Sequence, residues 1–207
     1  LYSELGLART RTLHGMIAET LEQLYGARAI NRADELAFHY ARGDSRRLAA
    51  KAVQYLRAAG RNASAKYANR EAADYLSAAL ALSEDDESSS VIEVAGELAR
   101  VRQRPGEYRE ALDLWNRVYR IAVDSGDTQR IGAIERNVGL NHFFVGDFDE
   151  ALAHYDAAIA AAREAGDGAL EARVLIPKGS CLQAIGRPQE AHDAIYRALS
   201  IASELGN

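Results

Sequence analysis

Apolar and polar positions along this chain follow the 3.6-residue period of amphipathic helices, and glycine interrupts the pattern every twenty residues. Glycines stand at 106, 126, 146, 166, 186 and 206, so two helices fill forty residues and the unit then recurs. Gly106, Gly146 and Gly186 lie in Pro-Gly-Glu, Val-Gly-Asp and Ile-Gly-Arg turns, whereas Gly126, Gly166 and Gly206 follow longer apolar segments. Self-similarity of fixed period in this range is the mark of a helical solenoid, whose units bury their apolar faces only against their neighbours.

The units superimpose residue by residue. Ala99, Gly139 and Gly179 recur at forty-residue steps, as do Ala111, Ala151 and Ala191. Trp115, Tyr155 and Ile195 follow, then Val118, Ala158 and Ala198, so each second helix carries small, large, small on one face. Small residues at such steps predict close helix crossings. Asp127, Asp147 and Asp167 are predicted N-caps, worth ~1 kcal/mol each, and Pro188 suits a first helical turn. An earlier unit, Gly60, Ala72, Leu76 and Ala79, matches at an offset of thirty-nine. The acidic, serine-rich stretch Ser83 to Ser90 is expected as a solvated loop with an N-cap. Before Lys51 the pattern changes: Leu13, Ile17, Leu21 and Leu24 stripe one helix, and a shorter helix is expected from about Asn31 to Ala41. The expectation is all-α, a right-handed α-α superhelix of about ten antiparallel helices. Residues 1–45 form an N-terminal helical pair, an adaptor or cap, and 46–207 form four helix pairs. Met16 is the sole methionine, and Gly206-Asn207 ends where the register calls for another helix. A piece of a longer protein, truncated at a repeat boundary, is expected.

Gly139, Gly146, Ala151, Tyr155 and Ala158 together resemble the tetratricopeptide repeat (TPR), although the unit is forty residues long and His142 stands where that motif usually has an aromatic. A TPR-like solenoid is the fold the resemblance implies. A second resemblance covers residues 1 to about 82. Arg11-Thr12-Leu13-His14, Glu35-Leu36-Ala37-Phe38-His39-Tyr40, Ala52-Val53-Gln54-Tyr55-Leu56 and Ala68-Asn69-Arg70-Glu71-Ala72 are similar to the helical region following the ATPase in bacterial signal-transduction ATPases of the STAND/AAA type. Residues Ser45 to Ala50 stand as an insertion relative to that family. Its members often carry adenylate or guanylate cyclase, kinase or DNA-binding effectors. The resemblance implies a sensor arm without ATPase or cyclase chemistry of its own.

Composition narrows the function classes. The 207 residues are 48% hydrophobic and 27% charged, ordinary values for a globular chain. Neither a membrane-length apolar run nor a secretory pattern is present, and with the single cysteine Cys181 this predicts a cytoplasmic protein. Cys181 itself reads as a small core residue. A net charge of -5 speaks against nucleic acid as the main partner. None of Lys51, Lys66 and Lys178 stands in a phosphate-loop context, and the HExxH, GxSxG and CxxC patterns are absent. No catalytic residue, cofactor or metal is therefore predicted. His142 and His154 flank the Gly146 turn and can approach each other as half a metal site, with packing as the competing role. His14 and His39 are expected to be buried with backbone hydrogen bonds.

Aligning the first helices on their small crossing residues projects Arg57, Arg61, Arg100, Gln103, Arg104, Arg136, Phe143, Phe144, Arg173 and Gln183 onto a concave groove. Guanidinium groups there would offer bidentate bonds to carboxylates or phosphates, and the phenylalanines desolvated anchors. The competing role is ion pairing with Glu and Asp of adjacent helices. The predicted partner is a protein or peptide of acidic character, or other domains of the parent chain, bound by a non-catalytic protein-interaction and sensory scaffold. The alternative is a free-standing peptide-sensing or self-assembly module, associating through an exposed last helix that carries Ala191, Ile195, Ala198, Leu199 and Ala202.

Overall fold

The computed structural model describes residues 2–43, 45–83, 89–126 and 128–206. They form α1 (Tyr2–Tyr25), a 3-10 turn (Gly26–Arg32), α2 (Ala33–Tyr40), α3 (Ser45–Ala65), α4 (Asn69–Ala81) and α5 (Ser89–Gln103). There follow α6 (Tyr108–Asp124), α7 (Thr128–Val145), α8 (Phe148–Glu164), α9 (Gly168–Ala184) and α10 (Pro188–Glu204). No strand occurs among the described residues. The chain divides into two compact units, Leu1–Pro105 and Gly106–Asn207.

In the second unit, sequential helices pack as hairpins, α7 on α8 and α9 on α10. A Cβ added at Gly139 would lie 2.9 Å from the Tyr155 ring and 3.1 Å from the Ala151 carbonyl oxygen. One at Gly179 would lie 2.9 Å from Ile195 and 3.3 Å from the Ala191 carbonyl oxygen. In the first unit Gly60 meets Leu76 and Ala72 of α4 in the same way. The small residues recurring through the sequence are thus the points where helix axes meet. Ala151, Tyr155, Ala158, Val174, Cys181 and Ala198 belong to one buried cluster, which confirms Cys181 as a core residue.

The glycine turns close each helix by one device. Gly146 adopts φ 92°, its N–H bonds the Phe143 carbonyl at 3.2 Å, and the Asp147 N–H reaches back to His142 at 2.9 Å. Carbonyls at the helix end are so satisfied, and only glycine enters this backbone region without strain. Beyond the turn, Asp167 accepts the Leu170 N–H at 2.8 Å, and Pro188 opens α10, both as expected. Asp147 departs from expectation: it makes no cap bond, and its carboxylate lies 3.5 Å from His142 Nδ1. Asp127 lies outside the described residues.

Pro177 stands inside α9. Proline has no N–H, so the carbonyl of Arg173, four residues earlier, has no helical donor. The Arg136 Nε from α7 donates to that oxygen at 3.3 Å.

The first unit corrects the reading of α1. Leu13, Ile17 and Leu24 are 50%, 41% and 73% exposed, so the apolar stripe faces away from the packed surface. What docks is the neighbouring face, with Gly15 and Ala18 buried and Glu22 half-buried. The Glu22 carboxylate accepts from Tyr40 Oη of α2, from Tyr55 Oη at 2.7 Å and from Lys51 Nζ at 2.5 Å, both of α3. The Tyr40 and Tyr55 rings stack 5.4 Å apart at 2°. Polar anchoring by long side chains leaves no apolar periodicity, which is why the stripe misled. Ser45 to Ala50 are the first turns of α3, with Leu48 buried against Gly15 and Gly43. Of the acidic loop, residues 84–88 lie outside the described ones; Ser83 is buried and donates to the Ala79 carbonyl at 2.9 Å.

Candidate functional site

Five of the predicted groove residues belong to the first unit. Arg57 and Arg61, one turn apart on α3, converge on Glu97 of α5. Arg57 donates through Nε at 3.0 Å and Nη2 at 2.7 Å, Arg61 through Nη2 at 2.5 Å, and Arg57 also pairs with Glu93. The Glu97 side chain is only 13% exposed. Burial pushes its carboxyl up, but the two arginines' hydrogen bonds and charges together outweigh that and hold it below the usual carboxylate range. The bond to Glu97 raises the Arg57 guanidinium in turn. Arg104 is spent on structure, donating to the Ser64 carbonyl at 2.7 Å. Arg100 is pushed down by desolvation, with Glu97 opposing. Gln103 Nε2 is buried without a hydrogen bond among the described residues. Beside this cluster a cleft of about 430 Å³ is lined by Gln54, Arg57, Arg61, Asn62 and Ser90.

The other five belong to the second unit. Arg136 on α7 and Arg173 on α9 are neighbours, and among the described residues their hydrogen bonds go to carbonyls: Arg136 Nε to Arg173, and Arg173 Nε to Ala169 at 3.3 Å. Among the described residues no carboxylate forms an ion pair with either. Desolvation, then the charge of Arg173, pushes the Arg136 guanidinium down. Beneath it Tyr155 is fully buried, its hydroxyl makes no hydrogen bond among the described residues, and its pKa is raised by desolvation. Two turns beyond Arg136 α7 carries Phe143 and Phe144. Phe144 is half exposed and stacks on Tyr108 at 4.6 Å, while Phe143 packs on Phe148 at 5.8 Å. Gln183 is exposed on α9. Ile176, three residues beyond Arg173 on α9, is exposed as well.

The histidines fall into two pairs. His142 and His154 do approach, their rings stacked 5.3 Å apart at 11°, and His154 Nδ1 bonds the buried Glu135 at 2.6 Å. No cluster of three metal-ligating side chains occurs among the described residues. His14 and His39 do not bond the backbone as expected; their Nδ1 atoms face each other at 3.0 Å. No helix among the described residues is long and apolar enough to cross a membrane.

Residues 130–204 match the tetratricopeptide repeat family. No curated protein matches the sequence. Among solved structures the chain is similar to BtubC (BKLC) from P. vanneervenii, with TM-score 0.72 and 18% identity over 100% of this chain and 85% of that one. It is also similar to a Podosopora anserina protein of nearly identical TPR-like repeats, with TM-score 0.66 and 17% identity over 97% of each chain. A Rap protein solved in complex with competence and sporulation factor gives TM-score 0.69 and 16% identity over 97% of this chain and 55% of that one. At such identities the likeness is one of fold. The repeat match and these neighbours support a TPR array, an all-α solenoid.

Proposed function

We propose that this chain is a non-catalytic protein-interaction and sensory scaffold, and that Arg136 and Arg173 form the part of it that takes an acidic peptide segment. The observation that carries this reading is two arginines near enough for the charge of one to act on the other, with no carboxylate ion-paired to either among the described residues. Like charges held together raise each other's energy, and a carboxylate from outside relieves that cost while taking bidentate bonds. Phe144, stacked and half exposed, supplies an apolar anchor on the same helix. The Rap neighbour, complexed with its factor, is an instance of this fold holding a ligand. The segments around His14 and His39 further support a place in a multidomain bacterial signalling ATPase, with residues 1–45 as adaptor. There the arm would act by binding its partner better in one state of the parent than in another.

The test is fluorescence anisotropy with a labelled glutamate-rich peptide at ~0.1 M salt, where exposed charges still interact over ~10 Å. Arg136→Glu with Arg173→Glu is expected to weaken binding at least ~30-fold, about 2 kcal/mol. Equal binding by the double variant and the parent removes the reading.

A second reading rests on α10, which exposes Tyr196, Leu199 and Leu205. Ala191 and Ala198, expected on that open face, are instead buried. Self-association through Tyr196 and Leu199 predicts a dimer in sedimentation that Leu199→Glu dissolves. A monomer at high concentration ends it.

A further inference from the structure

A second cleft, in the first unit and away from the groove arginines, has a different chemistry. It measures about 310 Å³ and is lined by Leu7, Thr10, Arg11, His14, Arg42 and Gly43, with Ala41. Among the described residues no carboxylate lines it. Arg42 is fixed at the wall by its bond to the Phe38 carbonyl at 3.1 Å and by lying 3.8 Å over the Phe38 ring. His14 belongs to the imidazole pair, and Phe38 stands edge-on to both rings, 5.7 Å from His14 and 5.2 Å from His39.

Two imidazoles with facing Nδ1 atoms 3.0 Å apart invite two ligands, a metal ion or a proton. The separation suits neighbouring ligands of one ion, but a dication would sit beside two guanidinium groups with no acidic ligand, and no third ligand is at hand among the described residues. The proton wins. In the neutral pair one ring donates its Nδ1–H and the other accepts. A proton added at the donor's far nitrogen makes an imidazolium and strengthens the bond, whereas a second would set two N–H groups against each other. Desolvation pushes His39 down first, then the charge of His14, then Arg42, with Glu35 on α2 opposing. Arg47 on α3 adds a further cation near Gly15, itself paired with Glu19 at 2.7 Å. Protonation of His39 is therefore resisted in the free protein, and an anion in the cleft offsets that resistance.

We propose that this cleft binds a small soluble oxyanion, phosphate or a phosphate monoester, between Arg11, Arg42 and the His14–His39 pair, and that binding brings one proton onto the pair. Arg11 and Arg42 supply the fixed charge, and the histidines make the affinity rise as pH falls. Proton linkage of one sets a limit of about tenfold tighter binding per pH unit across the pair's titration.

The probes are sulfate, which stays a dianion throughout, and inorganic phosphate. Both are titrated by calorimetry into the full chain at about pH 6 and about pH 7.5, with the histidine rings followed by NMR. The expected result is saturable binding, at least about tenfold tighter for sulfate at the lower pH, with both rings perturbed. Arg11→Gln, on an exposed position of α1, should abolish binding while leaving the helical circular dichroism unchanged. His14→Gln should retain weak binding and lose its pH dependence. Arg9→Gln, off the cleft, should bind as the parent does. The assignment is overturned by absence of saturable binding at either pH, by binding that Arg11→Gln leaves intact, or by affinity that does not change with pH. Recruitment to vesicles bearing a phosphomonoester headgroup, without binding of free phosphate, would equally overturn the soluble-ligand assignment.

Discussion

The two units use arginine on corresponding first-helix faces to opposite ends. In the first, Arg57 and Arg61 are neutralised from within by Glu97 and Glu93, so their charge is consumed in fastening α3 to α5. In the second, the partners of Arg136 and Arg173 among the described residues are carbonyl oxygens. Arg57 and Arg136 stand in the same register, three residues before the crossing glycines Gly60 and Gly139, yet one is fastened to acids and the other meets none among the described residues. What decides is whether the next first helix brings an acid, as α5 does with Glu97, or another arginine, as α9 does with Arg173.

The largest expected effect comes from removing the acid. Glu97→Gln leaves two guanidinium groups around a neutral amide in a half-buried site, and should destabilise the first unit by ~2–4 kcal/mol in urea unfolding. It should also raise the first unit's affinity for acidic peptide above that of the parent. Failure to gain any would show that uncompensated charge is insufficient for recognition. Gly139→Ala should cost ~1–3 kcal/mol, because its Cβ meets the Tyr155 ring at 2.9 Å and a backbone oxygen at 3.1 Å. Gly60→Ala should cost less: its Cβ would meet Leu76 at 2.8 Å, but an aliphatic side chain yields more readily than a buried ring, and the backbone oxygen is at 3.4 Å. Paired melting curves test the order.

Acid should divide the units next. Glu97 and Glu22 are both held below the ordinary glutamate range despite the raising effect of burial, by the bonds of Arg57 and Arg61 in one case and Lys51, Tyr40 and Tyr55 in the other. Their stabilisation is complete above the unfolded carboxyl value, ~4.3, and is lost as pH falls through the lower folded value. Glu171, held down by Arg163 and Arg197 against its own burial, is the counterpart in the second unit. Glu190, also held down by Arg187, is exposed and weighs little. With two shielded carboxylates against one, amide exchange below about pH 4 should rise earlier in α1 and α3 than in α9. The smallest effect is expected at Arg173. Arg173→Gln should leave stability within ~0.5 kcal/mol while weakening peptide binding, whereas Arg136→Gln should cost ~1 kcal/mol through the carbonyl it abandons.

Periodicity made the solenoid legible because each repeat states the same packing rule. Gly139, Ala151 and Tyr155 mark one crossing, Gly179, Ala191 and Ile195 the next, and each is where the chain says it should be. The polar anchoring of α1 was not legible: Glu22, Tyr40, Tyr55 and Lys51 are scattered in sequence, and their convergence exists only in the fold. The candidate site was half legible. Register placed the arginines on first helices, but their partners come from other helices, so the sequence left open which were already paired. The His14–His39 contact was hidden in the same way, by a separation of twenty-five residues.

Pro177 carries a consequence for how the array comes apart. In a stack of repeats, each unit ordinarily closes its own backbone ladder and can open alone, with neighbours linked only through their packed faces. Here the missing rung of α9 is supplied by a side chain of the preceding repeat, so fraying α7 withdraws a hydrogen bond from the interior of α9. The two repeats should open as one cooperative block, and the Arg136–Arg173 face should be present whole or absent altogether.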